Sequence, residues 1–243
     1  MPSEKAPGRS IKEQAQHWSA SVLDLLFPPR CVVCKQPGAD ICSTCLQTFM
    51  PVPEPVCEVC SEPVSTPGLC DRCRQNRPAY SRVYSAYCYE GAVQQAVQAL
   101  KYRRRKSLSK PLALSLTRRV PLPAAGNALI AAVPMHVDRQ AQRGYNHAVL
   151  LAAELSEQWG IPLLSSHALR RTINTKTQVG LKYTDRVENV KGAFYADSRE
   201  VSGHTILLID DVCTTGATLD AIAGILLSAD AEAVIGITLA RTI

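Results

Sequence analysis

Apolar positions along this chain follow helical and strand rhythms in turn, and their order predicts an architecture. Over residues 10–27, Ile11, Ala15, Trp18, Val22, Leu25 and Leu26 fall on one side of a short amphipathic helix that Pro28-Pro29 ends. Beyond Arg77-Pro78 a strand is predicted near 83–89. A helix carrying Val93, Val97 and Leu100 on one face follows, then a second around Leu112 and Leu116. Next come a strand over 128–133, a helix over 147–158 stopped by Gly160, and a strand over 161–164. The last third predicts strands at 193–196, 205–209 and 233–240, with a helix over 215–227. Strands alternating with helices imply an α/β domain over 76–243, a mostly parallel sheet with helices on both faces. Ligands of such sheets bind beyond the carboxyl ends of the strands.

Residues 28–75 follow a different logic. Eight of the ten cysteines form CxxC pairs: Cys31/Cys34, Cys42/Cys45, Cys57/Cys60 and Cys70/Cys73. Two residues between thiols let both sulfurs converge on one ion, and two such knuckles complete a closed tetrahedral site with no position left for water. Two structural Zn²⁺ sites in a double zinc ribbon are therefore expected. Sequential pairing groups Cys31, Cys34, Cys42 and Cys45, then Cys57, Cys60, Cys70 and Cys73. It is favoured by the Pro-rich link 50–57, read as a semi-rigid spacer, and interleaved pairing is the alternative. The ribbons are expected to fold on their metal around a core separate from that of the larger domain. Cys88 reads as a strand residue, whereas Cys213 lies where a helix N-terminus lowers a thiol pKa.

Composition narrows the class. A chain of 243 residues, 46% apolar, has room for one full domain plus a small one. No apolar run approaches the roughly 18 residues that cross a bilayer, so no integral membrane segment is expected. The opening Met-Pro-Ser-Glu-Lys lacks the basic-then-apolar layout of a secretory signal, which predicts a cytoplasmic location. The formal charge is +6, and six bases cluster at Lys101, Arg103, Arg104, Arg105, Lys106 and Lys110. Such density suits a polyanion, with a solvated basic loop as the commoner explanation.

The candidate chemistry concentrates at 206–219. An apolar strand from Ile206 to Ile209 is expected to end in Asp210-Asp211 and to run into the turn Thr214, Thr215, Gly216, Ala217 and Thr218, which opens a helix. Small residues leave N–H groups unobstructed where the helix dipole favours an anion. Two carboxylates accept hydrogen bonds from a vicinal diol or help hold Mg²⁺. A ribose 5-phosphate meets both requirements. The segment resembles the phosphoribosyl pyrophosphate (PRPP) signature of type I phosphoribosyltransferases, which implies PRPP or a related phosphoribose as ligand, with Mg²⁺. On that resemblance Asp210 and Asp211 bind ribose, and the 214–218 turn binds phosphate. Val133, Pro134 and Met135, with Arg143 as a bidentate phosphate partner, occupy the place of the pyrophosphate loop. The polar stretch 169–180, with Arg171, Thr172, Thr175 and Gln178, reads as a flexible loop over the pocket. His136 and His147 read as packed or solvent-facing, with no nearby carboxylate to mark a general base.

Taken together the sequence resembles the ComF family of competence-associated proteins over nearly all of the chain after the first 20 residues. The features that carry this are Pro-Pro-Arg-Cys-x-x-Cys, the paired ribbons, Leu100-Lys101-Tyr102, Val133-Pro134, Arg143-Gly144-Tyr145-Asn146, Arg171-Thr172 with Thr175-x-x-Gln178, Leu181, Arg186-x-x-Asn189, Gly192-Ala193-Phe194 and the PRPP motif. Two departures are visible: His147 stands where many relatives carry Gln, and Arg103 to Lys106 is more basic than the usual turn. The resemblance implies a cytoplasmic accessory of natural transformation that helps a helicase-like translocase import single-stranded DNA. Lys101, Arg103, Arg104, Arg105 and Lys106 are then the nucleic-acid contacts, assisted by Arg72, Arg74 and Arg77. A phosphoribosyltransferase that displaces pyrophosphate with a nitrogen nucleophile, and a PRPP sensor without turnover, are the alternatives; no acceptor or catalytic residue is identified.

Overall fold

A computed structural model describes residues 28–123, 126–172 and 192–243. The helix expected over 10–27, and Thr175, Gln178, Leu181, Arg186 and Asn189, lie outside the described residues.

The four cysteine pairs build two copies of one unit. In the first, Cys31 N–H donates to Gln36 O (2.8 Å) and Lys35 N–H to Cys31 O (2.9 Å). In the second, Cys57 N–H donates to Glu62 O (2.7 Å) and Ser61 N–H to Cys57 O (3.0 Å). The first knuckle of each unit turns through a residue with positive φ, Lys35 (66°) and Ser61 (58°). A short helix follows each one, α1 (Ser43–Gln47) after Cys42 and α2 (Asp71–Gln75) after Cys70.

The part beyond the ribbons is α/β, as its alternating pattern predicts. Strands β1 (Arg82–Cys88), β2 (Ala128–Ala132), β5 (Thr205–Cys213) and β6 (Ala233–Arg241) form an all-parallel sheet in the order β1-β6-β5-β2. Between β1 and β2 run α3 (Gly91–Tyr102), a 3₁₀ turn (Lys106–Leu108) and α4 (Ser109–Thr117). Helices α5 (Val137–Arg143) and α6 (His147–Trp159) follow β2. A small antiparallel pair, β3 (Leu169–Arg171) with β4 (Phe194–Ala196), stands apart from the main sheet, followed by α7 (Ser198–Val201). Helix α8 (Ala217–Ser228) connects β5 to β6. The strand expected over 161–164 reduces to one parallel bridge, Leu163 to Ile130.

Both faces of the sheet are buried, so its central strands are apolar on both sides. Leu207 and Ile209 of β5 pack with Val93, Leu100, Leu112, Leu116, Leu151 and Leu155 from α3, α4 and α6. Ile206 and Leu208 pack on the opposite face with Leu219, Ile222 and Leu226 of α8 and with Leu169 and Phe194 of the small pair.

The ribbons have no core of their own, contrary to the sequence expectation. Cys31, Val32, Ile41, Cys45 and Phe49 belong to the cluster under α3 and α4, and Phe49 meets Tyr87 of β1 edge-to-face at 5.1 Å. Cys57, Val59, Cys60 and Cys73 belong to the cluster under α8. The Pro-rich link is not a free spacer either. Cys88 N–H donates to Met50 O (2.8 Å), Pro51 bridges Tyr87 in antiparallel sense, and Val83 N–H donates to Val59 O (2.7 Å). The link thus covers the otherwise open edge of β1, where proline is tolerated because no ladder donor is required of it.

Candidate functional site

Each set of four thiols fits one metal ion. Within Cys31, Cys34, Cys42 and Cys45, and within Cys57, Cys60, Cys70 and Cys73, all sulfurs lie inside 4.8 Å of one another. The Cys34–Cys42 and Cys60–Cys70 sulfurs are 3.7 and 3.6 Å apart, against the edge of about 3.8 Å for a tetrahedron with 2.3 Å Zn–S bonds. Pairing is therefore sequential. Burial alone would raise the Cys31 thiol, but N–H groups of Cys42, Cys34 and Val33 aimed at its sulfur bring its pKa down to about 6. Cys57 is lowered to about 6 in the same way, burial being outweighed by the N–H groups of Cys60, Cys70 and Val59. Cys45, Cys70 and Cys73 move the other way, raised by burial and by the neighbouring sulfurs.

The second centre lies at the carboxyl ends of β2 and β5, which are paired neighbours (Ala132 opposite Ile209). The strand does not stop at the acids: β5 continues through Asp210 and Asp211 to Cys213, and a carboxylate oxygen of each lies within 4.8 Å of the other and of a His147 ring nitrogen. Asp210 is half-buried and accepts Asp211 N–H at 2.9 Å. Asp211 is 2% exposed, and its Oδ2 faces Lys101 Nζ at 2.9 Å and His147 Nε2 at 3.1 Å. Neither contact is a well-aligned hydrogen bond, and the one to Lys101 is an ion pair. Burial would raise the Asp211 carboxyl, but His147 and Lys101 hold it far below the usual carboxylate range. Asp210 moves the other way, pushed up to about 6 by burial and then by the charge of Asp211. Two adjacent carboxylates are thereby given different acidities.

His147 has a carboxylate partner after all, one that no neighbouring residue in the sequence announces. Its Nδ1 lies 2.9 Å from Arg143 Nη1. Since a guanidinium only donates, Nδ1 accepts and the ring hydrogen sits on Nε2, toward Asp211. The motif Arg143-Gly144-Tyr145-Asn146 builds this corner. Arg143 stacks on the Tyr102 ring at 4.8 Å, Gly144 takes the left-handed backbone (φ 85°) that ends α5, and the Tyr145 hydroxyl donates to Leu100 O. Asn146 caps α6, accepting Ala148 N–H at 3.0 Å and donating to Val133 O at 3.0 Å. Val133, Pro134 and Met135 are half-buried beside β5, Val133 N–H donating to Ile209 O at 2.9 Å. The stretch after them is helical, α5, where the sequence suggests only a loop.

In the 214–218 turn Gly216 has φ 80°, and a Cβ there would meet the Tyr80 hydroxyl at 2.9 Å, so the position needs glycine on both counts. Ala217 N–H approaches Thr215 Oγ1 at 3.4 Å as α8 begins. Cys213 is not activated by the helix end: burial, then Asp210, raises its thiol to about 12. Arg171, whose pKa is lowered by burial and then by Arg139, stacks on Phe194 at 5.4 Å, and Thr172 N–H donates to Ala193 O at 2.8 Å.

The basic cluster is divided by the fold. Lys101 belongs to the acidic centre. Arg105 pairs with Asp40 of the first ribbon at 3.1 Å, and Lys106 Nζ lies over the Tyr145 ring at 5.0 Å. Arg103, Arg104 and Lys106 are exposed, and Tyr102 is 69% exposed. Arg72 turns inward, donating to Thr215 O at 2.6 Å, while Arg74 stays at the surface beside Asp71. Sequence reasoning passed over Glu62 and Arg241. Arg241 is fully buried, donates to Cys60 O at 2.6 Å and contacts the Glu62 carboxylate.

Comparison with known proteins gives the class. The double zinc ribbon domain family matches residues 22–74, and the phosphoribosyl transferase domain family matches residues 142–242. Fold and site together define a double zinc ribbon joined to a phosphoribosyltransferase-type domain. DNA utilization protein YhgH of Salmonella typhimurium is 32% identical over 229 residues, 90% of this chain and 100% of that protein. Competence protein F of Haemophilus influenzae is 31% identical over 216 residues, 82% of this chain and 91% of its own. Competence protein ComFC of Bacillus subtilis is 28% identical over 199 residues, 76% of each chain. The chain belongs to the ComF family. Among the described residues no helix is long and apolar enough to cross a membrane.

Proposed function

We propose that this protein binds a phosphoribosyl ligand, PRPP or ribose 5-phosphate, at the end of β5 and serves DNA uptake through contact with single-stranded DNA. The observation that carries the first half is the graded acidic pair beside the phosphate turn. Among the described residues no ion pair engages Asp210, so its carboxylate is suited to a ribose diol or to Mg²⁺ brought with the ligand, whereas Asp211 is committed to Lys101 and His147. Phosphate oxygens would meet the N–H groups of 214–218 at the start of α8.

The second half rests on the exposed Arg103, Arg104, Lys106 and Tyr102, and on the names of the relatives, DNA utilization and competence proteins. Within that process the protein acts beside a helicase-like import translocase in the cytoplasm, where thiolate zinc sites persist.

Calorimetric titration with PRPP and Mg²⁺, followed by assay of pyrophosphate release against a panel of bases and amines, tests the reading. Binding without release supports an accessory or sensor. Release with one acceptor makes the protein a phosphoribosyltransferase, with His147 the group placed to handle a proton. No binding sinks the ligand assignment.

A further inference from the structure

Arg72 stands between Cys70 and Cys73, inside the second four-cysteine site, yet its guanidinium reaches into the phosphoribosyltransferase-like domain. Nη1 donates to the Thr215 carbonyl at 2.6 Å, Nη2 lies 3.9 Å from Glu62 Oε2, and the Cys60 thiol is near enough to act on the guanidinium's charge. One planar cation therefore stands beside the Cys60 sulfur of the second cysteine site and holds the backbone of the 214–218 turn. Only a fork of several donors spans such partners together.

The surroundings hold this bridge rigid. Arg241 contacts the same Glu62 carboxylate, donates to Cys60 O at 2.6 Å and approaches Cys213 Sγ at 3.4 Å. Tyr80, 2% exposed, lies under Gly216, and Ala79 N–H donates to Asp220 Oδ1 at 2.7 Å in the first turn of α8. The first cysteine site packs instead beneath α3 and α4.

A peptide unit is planar, with its C=O and N–H pointing in opposite directions. Fixing the Thr215 carbonyl on Arg72 therefore aims the Gly216 N–H away from Arg72. Glycine at 216 makes this unit the easiest in the turn to rotate, and a rotated unit would present its carbonyl to an anion instead of its N–H.

We propose that Arg72 is a positioning residue for the phosphoribosyl ligand: it couples the second zinc site to the phosphate turn by fixing the 215–216 peptide plane. This coupling rests on reading the turn as a phosphate cradle.

The test uses the full, zinc-loaded chain. Arg72→Ala should keep two zinc ions, bind PRPP with Mg²⁺ at least about tenfold more weakly than the parent, and exchange the amides of 213–218 faster without ligand. Arg72→Lys, which keeps the charge but offers a single point donor, should recover part of both. Gln75→Ala, exposed on the same short helix, should behave as the parent. Arg72→Ala with full zinc, parental affinity and parental exchange overturns the proposal. Should Arg72→Ala fail to fold or lose metal, parental affinity and exchange in Arg72→Lys overturn it equally. If the parent itself does not bind PRPP, the cradle reading fails, while the ligand-free exchange comparison still decides the coupling.

Discussion

Lys101 Nζ lies 2.9 Å from Asp211 Oδ2, joining the last turn of α3 to the acidic pair on β5. The contact removes Lys101 from the exposed basic cluster and gives it an electrostatic task inside the candidate site. A carboxylate 2% exposed requires such compensation, because an unpaired buried charge is costly.

Replacing Lys101 by Met should therefore destabilise the fold by about 3 kcal/mol, since His147 alone remains to face the charge. PRPP affinity should fall with it. The salt dependence of single-stranded DNA binding should stay parental, and a flattened salt slope would return Lys101 to the DNA surface.

The raised Asp210 sets a pH dependence of defined sign. Its folded pKa, about 6, lies above the ordinary carboxyl value, so the stability it contributes is complete below pH about 4 and is lost as pH rises through 6. Asp210→Asn should raise the melting temperature at pH 7.5, by the equivalent of about 1–2 kcal/mol, with the gain shrinking toward pH 4. PRPP binding by the parent should strengthen as pH rises through 6, as the carboxylate ionises. A pH-independent affinity between 5 and 7.5 would show that Asp210 does not meet the ligand.

Shared cores make the ribbons and the sheet one cooperative unit. Metal analysis should find two zinc ions per chain, and Cys60→Ser should lower both the zinc content and the stability of the α/β part. Circular dichroism with chelator should follow a single transition. Two separated transitions, with the sheet surviving metal loss, would restore independent domains.

Only the exposed bases should carry nucleic acid. Arg103→Ala with Arg104→Ala should weaken single-stranded DNA of every sequence alike and flatten the log–log salt slope by up to roughly 1.4, at about 0.7 per phosphate contact. Arg105→Ala should act mainly through stability, because Arg105 is already paired with Asp40.

Much of this protein is written in contiguous patterns. The CxxC spacing determined two thiolate sites because the ligands of each knuckle are near neighbours along the chain. The run from Ile206 through Gly216 determined a strand, an acidic pair and a turn because those residues meet one another locally. The alternation of periods determined the parallel sheet and its covering helices. What tertiary structure alone decided is which charges meet. The Arg72–Thr215 contact spans 143 positions and the Arg241–Cys60 contact 181, and His147 meets Asp211 across the junction of α6 and β5. No local propensity encodes such distances. Arg72 and Arg103 look alike as basic residues in a row, yet packing on the sheet turns one toward the Thr215 carbonyl and leaves the other in solvent. The ribbons' shared core was hidden for the same reason: Phe49, Val52 and Val59 show their burial only once β1 offers an edge to cover.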